Sequence, residues 1–216
     1  IEHGLKEMYK DKKNYFYYIT VTNERYVQPP KPKGKDVESN IIKGMHRISK
    51  TKKPQIRLLG SGAILNESIK ASEILSDFGI ESEVWSVSSF NMLRKDGMEV
   101  ENENVKNASN KSKESFVTKS FSEHDIPTVA STDYMRAYSE QIRPYINSPY
   151  YTLGTDGFGR SDSRAKLREF FEVDARSIVM TAAYALHKEG QLDKKELQKI
   201  YKEIKVNKNK MSPWNT

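Results

Sequence analysis

A chain of 216 residues is long enough for one α/β domain with a real core and short for two complete ones. Apolar residues make up 36% and charged residues 30%, so a folded core requires the polar residues to gather in loops and tails. The net charge is +7, but lysines bunched at 31–35, 50–53 and 205–210 lie without interleaved aromatics, which argues for solvated linkers and against a nucleic-acid surface. With no cysteine, disulfides, thiolate catalysis and cysteine-bearing zinc sites are excluded, and a reducing cytoplasm fits. No apolar run approaches the ~20 residues of a membrane helix, and the opening Ile1-Glu2-His3-Gly4 lacks both an initiator Met and the apolar centre of a signal peptide, as expected of a fragment.

In chain order, a short helical piece through Leu5 and Met8 leads into the run from Tyr15 to Thr22, whose aromatic and β-branched residues predict a buried strand. The three prolines in 28–34 remove backbone donors and favour extended structure, so a linker is expected over 28–36. Ile41, Ile42, Met45 and Ile48 share one helical face, closed by Lys53-Pro54. Gln55 to Leu59 reads as a strand, Gly60-Ser61-Gly62 as a tight turn, and Ala71, Ile74, Leu75 and Phe78 as the stripe of a helix capped by Gly79. A second strand at Ser82 to Val87 completes a βαβ unit, hence parallel strands joined by a right-handed crossover.

The stretch 96–123 has little periodicity and much Asn, Lys, Ser and Glu, which predicts a polar, mobile excursion. A third strand is expected at Thr128 to Ser131, a helix from Asp133 to Tyr145 with Asp133 as its N-cap, and a fourth strand at Tyr151 to Leu153. After the glycine-rich run Gly154 to Gly159, Ser161 or Asp162 caps a helix carrying Leu167, Phe170 and Phe171. Ile178, Val179, Ala182 and Leu186 mark a helix ended by Gly190, and Asp193 with Glu196 has capping-box spacing ahead of Leu197, Ile200, Tyr201 and Ile204. The tail beyond Lys205 is expected to fray.

Two glycine segments are candidate sites. Gly60-Ser61-Gly62 joins strand to helix and could present N–H groups to an anion, but Leu65 stands where a dinucleotide fingerprint needs its third glycine. A small anion- or nucleotide-binding α/β module is therefore the alternative reading; a basic domain docking acidic partners ranks below it. The run Gly154 to Gly159, with Asp156, Arg160, Asp162 and Arg164, lies at the carboxyl edge of a sheet, where open α/β sheets place ligands. No nucleophile and base are recognisably paired there, which favours a loop pinned by Arg–Asp pairs at a subunit boundary. The four histidines are isolated from one another, so no catalytic, cofactor-binding or metal residue is assigned.

Ser131-Thr132-Asp133-Tyr134-Met135, the run Leu153 to Arg164, and Phe171-Glu172-Val173-Asp174-Ala175 resemble the C-terminal domain of the homodimeric pyruvate dehydrogenase E1 family, transketolase-like thiamine-diphosphate enzymes. Tyr17-Tyr18-Ile19-Thr20, Leu59-Gly60-Ser61-Gly62 and Trp85 to Phe90 fit the same family in the same order. The resemblance implies a transketolase C-terminal-like fold, a mixed, mostly parallel sheet of about five strands with helices on both faces. It divides the chain into 1–27, the end of a preceding pyrimidine-binding domain; the linker 28–36; and a C-terminal domain over 37–216. It implies a bacterial, cytoplasmic oxidoreductase of pyruvate metabolism, homodimeric in full length, that decarboxylates pyruvate with thiamine diphosphate and Mg²⁺ and reductively acetylates the lipoyl group of E2 dihydrolipoyl acetyltransferase. The family's Gly-Asp-Gly cofactor motif has no counterpart, since neither Asp96-Gly97 nor Asp156-Gly157 follows a glycine. The expected role is thus structural and dimerising, with no cofactor, nucleic acid or membrane bound and no activity of the chain alone. Asp133, Asp156, Arg160, Asp162 and Arg164 are expected at an interface or active-site entrance.

Overall fold

A computed structural model describes residues 1–107 and 112–215. Helix α1 (Glu2–Leu5) continues into a π turn at Lys6–Lys10. The segment 11–36 carries no helix or strand until α2 (Val37–Lys43). The strand expected over 15–22 is not formed: Phe16, Tyr18 and Val21 are each more than four-fifths exposed. A strand needs a ladder partner for its N–H and C=O groups, and no strand of the described residues pairs with this run.

Gly44, at φ +117°, ends α2 in the left-handed region and turns the chain into β1 (Met45–Ser49). The single helix expected across 41–48 is therefore a helix, a glycine stop and a strand. β2 (Ile56–Ser61), α3 (Leu65–Asp77) and β3 (Ser82–Val87) then form the expected βαβ unit, with Gly60 and Ser61 in the strand and only Gly62 turning. Gly79, at φ +75°, closes α3 as expected, Ile80 N–H donating back to Leu75.

The polar stretch after β3 is largely helical, which corrects the excursion expected over 96–123. α4 (Phe90–Asn107) and α5 (Phe116–Phe121) flank residues outside the described set. α4 buries Phe90, Leu93 and Gly97, and Gly97 is a glycine because the Tyr145 ring stands 2.3 Å from where a Cβ would project. From Asp96 onward polar contacts hold the helix: Phe116 N–H donates to Asp96, and Asn104 binds both backbone groups of Lys113. Such partners leave no periodicity to read.

β4 (Thr128–Ser131) and β5 (Tyr150–Leu153) complete the sheet in the order β1-β3-β2-β4-β5, parallel except for β1. The helix expected at 133–145 breaks into α6 (Arg136–Glu140) and a 3₁₀ turn at Arg143–Tyr145, since Pro144 cannot donate to a continuing helix. α7 (Arg164–Phe170) starts from Ser163, not Ser161 or Asp162; Asp162 instead accepts from Ser163 N–H at 2.6 Å. α8 (Ala175–Lys188) buries Ile178, Val179, Ala182 and Leu186 as expected, and α9 (Lys194–Glu203) begins with both hydrogen bonds of the Asp193–Glu196 capping box.

The sheet is covered on both faces because its inward residues alternate. Ile56, Leu58, Val84 and Val129 meet α3, α7, α8 and α9, while Leu59, Trp85, Val87 and Ala130 meet α4 and α5. Each fully buried Leu or Ile contributes about 1.5–3 kcal/mol. No helix of the described residues is long and apolar enough to cross a membrane.

Candidate functional site

The strand order reverses at β2. The chain leaves β2 to reach β3 through α3 on one face, then crosses to β4 through α4 and α5 on the other. The carboxyl ends of β2 and β4 therefore border the crevice where open α/β sheets place ligands. Ser61-Gly62, Thr132 to Met135 and the run Gly154 to Arg160 border this corner.

The loop after β5 is sewn to the loop after β4 by backbone. Thr155 N–H donates to the Tyr134 carbonyl at 2.9 Å, its hydroxyl donates to the Asp133 carbonyl at 2.8 Å, and Thr132 N–H donates to Leu153 at 3.1 Å. A Cβ on Gly154 would stand 2.6 Å from both Arg136 N and the Tyr134 carbonyl, so only glycine admits this approach. Asp156 faces Arg136: its Oδ1 accepts from Arg136 N–H at 2.9 Å, and its Oδ2 lies 3.4 Å from Nε. Among the described residues that buried Nε has hydrogen-bond geometry to no acceptor, so the contact is an ion pair by distance only.

The other candidates go elsewhere. Asp133 is exposed and does not cap a helix, since α6 has Met135 at its N-cap; the Asp133 carboxylate instead lies 3.6 Å from where a Cβ on Gly62 would project. Arg160 stacks on Phe170 at 5.3 Å. Arg164 binds Glu24 at 2.5 Å and Asn23 at 2.7 Å. The partner of Asp156 is thus Arg136, which the sequence did not single out although it follows β4 much as Asp156 follows β5.

Two further polar centres had no sequence signal. At the amino edge, Arg57 and Glu83 are both almost wholly buried and pair at 2.5 Å, with Arg57 also bound to Thr128 and the His124 carbonyl. Buried Glu67 accepts from Arg168 at 3.1 Å and from the α8 N-terminal Ala175 N–H at 3.1 Å, tying three helices together. The histidines remain scattered, and among the described residues no group of three potential ligands could hold a metal ion.

The family model described as the transketolase-like TK C-terminal domain matches residues 44–174. The chain belongs to this family. Among curated relatives, the pyruvate dehydrogenase E1 component of Pseudomonas aeruginosa is 46% identical over 218 residues, 99% of this chain and 24% of that protein. That of Cupriavidus necator is 42% identical over the same shares, and that of Escherichia coli K12 is 41% identical over 97% of this chain. The chain thus spans about a quarter of the length of the relatives it matches. A Pichia stipitis transketolase solved with sedoheptulose-7-phosphate superposes with a TM-score of 0.51 at 18% identity, over 73% of this chain and 20% of that one. The transketolase of Leishmania mexicana gives 0.50 at 17%, over 70% and 19%. These bear out the transketolase C-terminal-like α/β fold.

Membership in the family does not make the corner an anion site. The Asp133 carboxylate lies over Gly62, where a phosphate approaching the turn would meet like charge. The anion-binding alternative is not favoured.

Proposed function

We propose that this chain is the structural and dimerisation domain of a cytoplasmic, bacterial pyruvate dehydrogenase E1, with 1–27 the end of the preceding pyrimidine-binding domain, 28–36 the linker and 37–216 the C-terminal domain. The observation that supports this most is identity of 46% running along 99% of the chain, to the pyruvate dehydrogenase E1 component of Pseudomonas aeruginosa. The complete enzyme decarboxylates pyruvate and reductively acetylates the lipoyl group of E2, with thiamine diphosphate and Mg²⁺ held by regions outside this chain.

The domain's own contribution is positional. Backbone hydrogen bonds and close glycine contacts fix the loops after β4 and β5 around Asp133 and Asp156; Arg160 and Asp162 follow in the same loop, and Arg164 opens α7. We assign these five residues to an interface or the active-site entrance. The test has two arms. Supplied with pyruvate, thiamine diphosphate and Mg²⁺, the chain alone should be silent where the complete enzyme turns over; decarboxylation by the chain sinks the assembly reading. In the complete enzyme, Arg160→Glu with Asp162→Lys should shift sedimentation toward monomer, and an unchanged dimer removes those residues from the interface.

A further inference from the structure

The tail beyond Lys205 does not fray; it crosses the corner. Lys210 is held by the Glu169 carbonyl and by the Glu172 carboxylate at 3.5 Å. Three residues on, Pro213 is buried and its carbonyl oxygen lies 2.9 Å from where a Cβ on Gly157 would stand, with Trp214 Cα at 3.2 Å. Gly157 has φ +101°, so glycine is required there for its backbone angle as well as for this contact. Trp214 then lies under the Arg136 guanidinium, 5.1 Å from carbon to ring centre.

Arg136 is therefore contested. Its backbone N–H already caps Asp156, and its Nε is 3.4 Å from the second carboxylate oxygen. A guanidinium that close to a carboxylate ordinarily turns an N–H squarely onto it. Here the guanidinium sits over the indole, and among the described residues the buried Nε has no hydrogen-bond partner. An orphaned, charged N–H in a buried position makes the arrangement shallow in energy.

We propose that residues 206–215 form an intramolecular latch on the carboxyl edge, with Gly157 as its backbone seat and Arg136 as a two-position clasp. Latched, Arg136 holds Trp214 and leaves its Nε unpaired. Released, the guanidinium turns onto Asp156, and Trp214 and the Gly157-Phe158 backbone become free together. A protein surface docking at this corner must then compete with the chain's own tail, and the exchange at Arg136 is the discrete element that such competition shifts.

The two tryptophans make this measurable. Trp85 is 5% exposed and Trp214 is 50% exposed, so acrylamide quenching of the 216-residue chain reports Trp214 as the accessible fraction. The quenching constant of Trp214 should lie several-fold below that of a free peptide of residues 206–215. Arg136→Gln should raise it about twofold or more toward the peptide value, whereas Asp156→Asn, which removes the competitor, should not raise it. Gly157→Ala disturbs the seat without touching the clasp and should raise it too, which decides the matter if Arg136→Gln loses its far-UV spectrum. Peptide-like quenching in the parent chain, or an unchanged Trp214 in Gly157→Ala, overturns the latch.

Discussion

The two edges of the sheet are held by different physics. At the amino edge, Arg57 and Glu83 are both buried at the start of neighbouring parallel strands, and Arg47, Thr128 and the His124 carbonyl complete the set. At the carboxyl edge the Arg136 and Asp156 side chains are each 30% exposed, and the loops are brought together by glycines whose missing side chains let backbone meet backbone. The contrast teaches where charge is structural. A buried pair cannot lose one member without stranding the other in low dielectric, whereas a partly exposed pair can change partners at lower cost. The edge that can change partners is the one at the topological reversal, where Arg136, Asp156 and Trp214 meet.

The largest effect should come from stranding Arg57. Glu83→Ala should lower stability by about 3–5 kcal/mol, a fall in Tm on the order of 10 °C for a domain of this size, read by urea and thermal denaturation. Replacing both members, Arg57→Met with Glu83→Leu, should recover most of that loss; a double variant as unstable as the single one would mean that the pair contributes more than it costs to desolvate.

A smaller effect is expected from the carboxyl edge. Gly154→Ala must push apart Arg136 N and the Tyr134 carbonyl, and should cost about 1–3 kcal/mol while raising amide exchange at Thr155 and Arg136 but not at Arg57. Equal loosening at both edges would erase the distinction between them.

The smallest effect sharpens the amino edge alone. Glu123 accepts from Lys50 at 2.7 Å and Arg47 at 3.0 Å, and these bonds pull its carboxyl down to about 2 from an ordinary 4.5. A depressed carboxylate stabilises fully above the unfolded value and loses that contribution as pH falls through the folded one. Its clamp on Arg47 and Lys50 should therefore persist at pH 4.5 and open towards pH 2, followed by the NMR titration of Glu123; a midpoint near 4.5 would show that the clamp does not form in solution.

One face of the sheet was largely legible and the other was not. Ala71 and Leu75 of α3, and Ile178 to Leu186 of α8, repeat at helical spacing because these helices lie flat on the sheet and bury one stripe. α4 runs past its core contact at Gly97 and is held by Asp96 and Asn104 reaching residues well separated in sequence, so its composition reads as loop. The strand-like run at 15–22 shows the reverse failure: its residues favour a sheet, but a ladder depends on a partner that local pattern does not reveal.

By itself the sequence determined the βαβ order, the glycine stops at Gly79 and Gly190, the capping box at Asp193, and the family that the Thr155 to Asp162 run carries, because each depends on residues close along the chain. Only the tertiary structure decided that Asp156 faces Arg136 in place of Arg160 or Arg164, that Asp133 lies over Gly62, and that Trp214 closes on the corner. These contacts join residues 20 to 78 positions apart, as 156 − 136 = 20 and 214 − 136 = 78. They exist because parallel strands gather their carboxyl ends at one edge, whatever their order in the chain.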